Sequence, residues 1–236
     1  MALCIVIYMK LRIFLVFFLV FFAFPIFSQD IVTAEHYLES VSERYGSIRD
    51  YEAAIAILSG TSEMFGNVYH LAPYFMRIDF TKPSDQVIVF NGELLTVYLP
   101  EYRVTLNQNI TQSRRSGASG AGMATAQGLS LLRRNYVSSF VTGPEPVQLD
   151  TNSNEKVVKL RLTRRSVSEG FREIIVSISP ETMLVRRLEG RTIADGQVRF
   201  DFTNIKLNQG IPEQRFVYDA PPSANVYNNF LFRDTD

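Results

Sequence analysis

The sequence predicts a mainly β fold with helices (α+β), an antiparallel sheet or barrel covered by a few short helices, and three observations predict it. After Asp50 the chain breaks into short runs rich in Val, Ile, Phe and Tyr, separated by turn residues such as Ser59-Gly60, Lys82-Pro83, Asn91-Gly92 and Asn208 to Gly210. Within the runs, apolar and polar residues alternate: FMRIDFTKP sets Met76, Ile78 and Phe80 on one face against Arg77, Asp79 and Thr81 on the other. Only two segments carry helical spacing.

In chain order, the first 28 residues differ in kind from the rest. Lys10 and Arg12 precede an uncharged apolar run from Ile13 to Phe27 that stops at Ser28-Gln29, the pattern of a cleaved secretory leader. The run falls short of the roughly 20 residues that span a bilayer as a helix. Met9, directly before Lys10, offers a second start. The organisation expected is a signal peptide over 1–28 and a single domain over 29–236, exported to the periplasm.

Ile31, Ala34, Leu38, Val41 and Tyr45 then repeat every three or four residues, which marks one face of a helix capped by Thr33 or Asp30 and ended by Gly46. Strands are expected near 50–59, 64–71, 75–81, 86–91, 93–99 and 102–107, with a second series near 156–164, 171–178, 183–192, 196–206 and 214–218. VIVFNGELLTVYLP reads as a hairpin folded on Asn91-Gly92. Between the two series, SGASGAGMATAQGLSLLRRNYVSSF reads as a mobile glycine-rich loop leading into a lid helix through Leu129, Leu131, Leu132 and Tyr136.

Composition narrows the function. The only cysteine, Cys4, lies in the leader, so the remaining chain has no disulfide and must be held by a core. Without the two leader cations, 22 basic side chains face 24 acidic ones, which gives no reason to expect a nucleic-acid partner. Catalytic constellations are missing. No serine sits in a GxSxG elbow, the glycine-rich loop has no GxxxxGK[ST] context, and Asp79, Glu93 and Asp201 are not placed in pairs. His36 and His70 have no second ligand at metal spacing and read as surface or capping histidines, so no enzyme, metal or cofactor is expected.

Two features point toward lipid. Four arginine pairs, Arg114-Arg115, Arg133-Arg134, Arg164-Arg165 and Arg186-Arg187, form either a solvated face or contacts to anionic headgroups. The sequon Asn109-Ile110-Thr111 matters only in a eukaryotic secretory pathway. Ile88 and Phe90 add to the apolar face of Met76, Ile78 and Phe80, and Leu95 and Val97 continue the alternation. Such a surface needs helices over it. It is either a filled core or a hollow, closed by helices through Leu38, Val41, Leu129 and Leu132, that a hydrophobic ligand can enter.

The block LAPYFMRIDFTKPSDQVIVFNGELLTVYLP, from Leu71 to Pro100, and the ending IPEQRFVYDAPPSANV resemble the periplasmic outer-membrane lipoprotein carriers, the LolA family. The resemblance spans nearly all of the chain after the leader. It implies an open antiparallel β half-barrel with a lipid-binding cavity, on a strand of which Met76, Ile78 and Phe80 fall. It implies acylated lipoproteins as cargo, an inner-membrane ABC-type exporter as donor, an outer-membrane acceptor and a monomeric carrier. Relatives with the same half-barrel include the lipid-anchored receptor that accepts the cargo and a periplasmic stress sensor, and the alternative for this chain is a half-barrel periplasmic protein that senses lipid or lipoprotein or binds lipid generally. The sequence departs from the family pattern at Ala72, where the carriers have an arginine that latches the lid. One acyl chain of about 16 carbons contributes on the order of 10 kcal/mol on burial, so a carrier needs loosely fitted walls to release it.

Overall fold

The computed structural model describes residues 32–110 and 120–231. The leader with Cys4, the helix positions Asp30 and Ile31, Arg114-Arg115, the Thr111 end of the sequon and residues 111–119 of the loop lie outside the described residues. From Val32 the chain forms one compact unit.

Helix α1, Ala34–Gly46, begins where the Thr33 hydroxyl oxygen accepts from the His36 N–H at 3.1 Å. Its buried residues are Ala34, Leu38, Val41 and Tyr45, the stripe expected from the spacing. Strands β1 (Asp50–Ser59), β2 (Ser62–Leu71), β3 (Phe75–Lys82), β4 (Val87–Phe90), β5 (Leu94–Leu99) and β6 (Val104–Asn109) follow as an antiparallel meander. Helix α2, Ala126–Asn135, precedes β7 (Tyr136–Phe140), β8 (Val147–Gln148), β9 (Lys156–Arg164), β10 (Phe171–Ile178), β11 (Val185–Thr192), β12 (Gln197–Leu207) and β13 (Asn225–Asn228).

These strands make one open sheet in the order β13-β6-β5-β4-β3-β2-β1-β12-β11-β10-β9-β7, with β8 paired beside β7 on β9. The two meanders join at the β1–β12 seam, where Ile55 opposes Phe202 and Ile57 opposes Phe200. All pairs are antiparallel except β13 with β6. The architecture is thus an open antiparallel half-barrel with two helices. The helices pack on each other and on β7, and their buried side chains join Ile55, Val68, Ile78, Leu160, Val176, Leu188 and Phe202 in one core on the concave face.

Several elements differ from the sequence reading, each for a local reason. The lid helix starts at Ala126, because the Thr125 hydroxyl both accepts from the Gly128 N–H and donates to the Gly122 carbonyl, ordering Gly120–Ala124 as a 3-10 turn. Tyr136 fits the spacing of Leu129 and Leu132 but is the first residue of β7, paired with Arg164. The hairpin turn centres one residue later than Asn91-Gly92. Asn91 closes it, its side-chain oxygen accepting from the Glu93 and Leu94 N–H groups, while Gly92 supplies the φ of +95°.

The expected strand at 214–218 is instead a 3-10 turn, Glu213–Phe216, within a strap laid across the convex face. Phe216 is fully buried beside Phe75, at a ring distance of 5.4 Å. Arg215 caps the Tyr69 ring at 4.1 Å and donates to Asp79 at 2.9 Å, and Arg77 donates to the same carboxylate at 2.7 Å and to the Arg215 carbonyl. The charges of β3 are therefore the anchor of the strap.

Candidate functional site: a partly exposed apolar strip on the concave face

Register decides which side chains share a surface. Met76 opposes Phe90 and Ile78 opposes Ile88 across β3–β4; Ile88 opposes Val97 and Phe90 opposes Leu95 across β4–β5. Phe80 follows Ile78 at the strand period of two. Met76, Ile78, Phe80, Ile88, Phe90, Leu95 and Val97 therefore lie on one face, the concave one that bears the helices.

They are not equally covered. Ile78 is 2% exposed and Phe80 5% exposed, within the core under the helices, and Met76 and Ile88 sit half-buried at its edge. Phe90, Leu95 and Val97 lie beyond that core and remain partly exposed. Register extends the strip to two residues that the sequence reading did not include: Leu106 opposes Val97, and Tyr227 of β13 opposes Leu106. Leu106 was accessible from its alternation with Val104 and Gln108, whereas Tyr227 depends on a parallel pairing that no local pattern encodes.

A buried polar side chain borders the open part of this face. Gln108, opposite Leu95, is buried, and its carbonyl oxygen accepts from the Leu231 N–H at 2.9 Å, which draws the apolar tail residues Phe230 and Leu231 toward the strip.

The lid residues Leu38, Val41, Leu129 and Leu132 are all buried and contribute to a filled core. Beside Tyr45, Tyr51 and Phe202 there is a gap with no room for a water molecule. Two links hold the lid. Arg133 of α2 donates to Glu39 of α1 at 2.5 Å, which holds the Glu39 carboxyl below its ordinary range, and the Tyr51 hydroxyl donates to the Ala124 carbonyl at 3.0 Å. Ala72, in contrast, donates its N–H to the Arg49 carbonyl in a loop next to β1. Tyr45, fully enclosed, accepts from the Val185 N–H, and burial pushes its hydroxyl up to about 12.

The titratable residues are dispersed. His36 is exposed beside Glu39 at 3.5 Å. Of the two expectations for His70, surface or capping, the surface one is corrected: it continues the inward alternation of Gly66 and Val68, packs on Tyr51 at 5.2 Å and caps the β2–β3 turn, its Nδ1 meeting the Phe75 carbonyl at 2.8 Å. Burial lowers its pKa. Asp79 is engaged with Arg77 and Arg215, Asp201 with Arg187 and Arg199, and Glu93 sits exposed in the hairpin turn. Among the described residues no cluster of His, Cys, Asp and Glu could hold a metal ion. No described helix is long and apolar enough to cross a membrane.

A second concavity, of about 530 Å³, lies on the convex side between the strap and β3–β5, lined by Asp79, Asp85, Val87, Tyr98, Tyr218 and Pro221. Its carboxylate Asp79 is already neutralised by two arginines, and Tyr98 and Tyr218 pack on each other at 6.0 Å.

The fold is an open antiparallel half-barrel with two helices packed on it. No protein-family model and no curated protein matches the sequence. Solved structures do. An uncharacterized conserved protein of Thermus thermophilus superposes with a TM-score of 0.53 at 14% identity, over 83% of this chain and 98% of the other. The Pseudomonas aeruginosa MucA/MucB complex superposes with a TM-score of 0.50 at 13% identity, over 82% of this chain. The match spans 63% of that chain, under two thirds of its length. A LolA superfamily protein of Nitrosomonas europaea aligns over 79% of this chain and 98% of its own at 14% identity, with a TM-score of 0.41. At these identities the first two matches establish likeness of fold alone.

Proposed function

We propose that the protein binds acyl chains on the concave strip and acts, without catalysis, as a periplasmic carrier of acylated lipoproteins from the inner toward the outer membrane. The observation that carries this reading is the strip itself. Phe90, Leu95, Val97 and Leu106 form a continuous apolar surface that the helices leave partly open, while on the opposite side of the sheet the strap is anchored on β3 and reaches Tyr98 of β5 through Tyr218. Apolar surface in contact with water is costly, and a hydrocarbon chain laid along it recovers about 25 cal/mol per Å² covered.

Among the described residues the strip has no charged group to fix one headgroup, which suits a carrier of varied cargo that releases to a better acceptor. Loading by an inner-membrane ABC-type exporter and delivery to an outer-membrane acceptor belong to the same proposal, supported by the leader-like N-terminal sequence and the LolA-like fold.

The test must avoid the core. Ile78 is too deeply buried for a charge to be tolerated, so loss of capture in an Ile78→Glu protein would report unfolding. Leu95→Glu and Val97→Asp put the charge where water already reaches. Both variants should keep the β-type circular dichroism and thermal midpoint and lose binding of a fluorescent fatty acid and capture of an acylated lipoprotein. Unchanged binding in both removes the strip as the site. Fatty-acid binding without lipoprotein capture in the wild type would leave a general lipid-binding or lipid-sensing protein in place of a carrier.

A further inference from the structure

Three of the four arginine pairs lie among the described residues, and the fold divides them. Arg186 and Arg187 are engaged with Glu155, Asp150 and Asp201, and Arg133 with Glu39. Arg134, Arg164 and Arg165 are gathered at one corner. Tyr136, directly after α2, pairs with Arg164, and the Arg165 N–H donates to the Asn135 carbonyl at 2.8 Å.

Their guanidinium groups bond to neutral partners only: Arg134 to the Asn135 side chain, Arg164 to the Val167 carbonyl and Arg165 to the Tyr136 carbonyl. Among the described residues none of the three has a carboxylate in ion-pair range; Glu169, in the same turn as Val167, is the acid nearest in sequence to Arg164 and Arg165, so three oriented cations face one acid at this corner.

The same corner carries protruding apolar side chains. Val167, at the tip of the β9–β10 turn, is 82% exposed, and Ile193, in the neighbouring β11–β12 turn, is 54% exposed. The second turn is held by Arg172, which donates to the Ile193 carbonyl and to Asp195, neutralising that acid. Arginines alone fit any polyanion. Arginines around apolar tips fit a surface that is anionic outside and hydrocarbon beneath.

We propose that this corner docks the protein on an anionic lipid bilayer, with Val167 and Ile193 entering the headgroup layer and Arg134, Arg164 and Arg165 contacting lipid phosphates. It does not depend on the acyl-binding reading, because the two surfaces share no residue. The experiment is cosedimentation of the chain from Gln29, which holds the whole compact unit, with phosphatidylcholine vesicles, with and without phosphatidylglycerol.

Binding is expected only with phosphatidylglycerol, and weakening as salt rises. Arg164→Gln with Arg165→Gln should lower it on the order of twentyfold, from about 1 kcal/mol per cation near such a surface. Val167→Ser should lower vesicle binding several-fold and leave binding of soluble polyphosphate unchanged, and Val97→Asp should bind vesicles as the wild type does. The proposal is overturned by absence of binding to anionic vesicles, by Val167→Ser binding them like wild type, or by loss of vesicle binding in Val97→Asp.

Discussion

A glycine-to-alanine change inside a helix ordinarily stabilises a protein by up to about 1 kcal/mol, and at Gly128 the structure reverses the sign. A Cβ there would stand 2.1 Å from the Gly122 carbonyl oxygen and 2.6 Å from the Met123 Cα, both backbone atoms of the turn before α2. Relief requires a shift of roughly 1 Å, since ordinary contacts begin near 3.4 Å. That turn is fixed by the Thr125 cap and by the Tyr51 hydroxyl on the Ala124 carbonyl, so the shift strains or breaks bonds worth about 1 kcal/mol each, in addition to an overpacking cost of about 1–3 kcal/mol. After the propensity gain, Gly128→Ala should destabilise by about 1–3 kcal/mol, lowering the thermal midpoint by roughly 3–10 °C for a domain of this size. Gly46, at the end of α1, has nothing within 4 Å of a built Cβ, so Gly46→Ala should raise the midpoint slightly. Urea and thermal unfolding of the two variants side by side give the answer. A Gly128→Ala protein as stable as Gly46→Ala would refute the close docking of α2 on its turn.

Two further outcomes follow from buried groups. Phe216→Ala removes a fully buried ring from beneath the strap and should cost about 3–5 kcal/mol in urea unfolding, while the concave strip keeps its affinity for fatty acid. His70, buried, has a folded-state pKa below the ordinary 6.5, so the unfolded chain binds the extra proton. Its contribution to stability is complete above about pH 6.5 and is lost as pH falls from there toward the folded value. In His70→Gln, the fall in urea midpoint between pH 7 and pH 5 should be shallower than in the wild type.

What was legible in the sequence is what depends on local period. The face shared by Met76, Ile78, Phe80, Ile88, Phe90, Leu95 and Val97 follows from alternation within β3, β4 and β5, and the α1 stripe from its repeat of three and four. His70 stands two residues after Val68 on an inward series, so its position marks it as buried even though its residue type favours the surface. Tyr136 shows the limit of period alone: it fits the helical spacing from Leu132 and yet pairs in a strand. The strap is hidden from local pattern because Phe216 and Tyr218 alternate like a strand, although they pack onto the convex face. How far the helices extend over the sheet, and hence which apolar residues stay open, depends on the placement of α1 and α2, which no local pattern carries.

The β1–β12 seam also has a consequence in time. Tyr51 opposes Leu207, and the Asp50 carboxylate accepts from the Gln209 and Gly210 N–H groups, across a span that encloses most of the chain. During N-to-C synthesis β1 through β6 can pair as a meander, but β1 keeps one unpaired edge, bearing Ala53, Ile55 and Ile57, until β12 emerges. Such an edge is a template for pairing with another chain. Pairing across so long a loop is also slow. Until the last sixth of the polypeptide is available, the nascent half-barrel is therefore aggregation-prone.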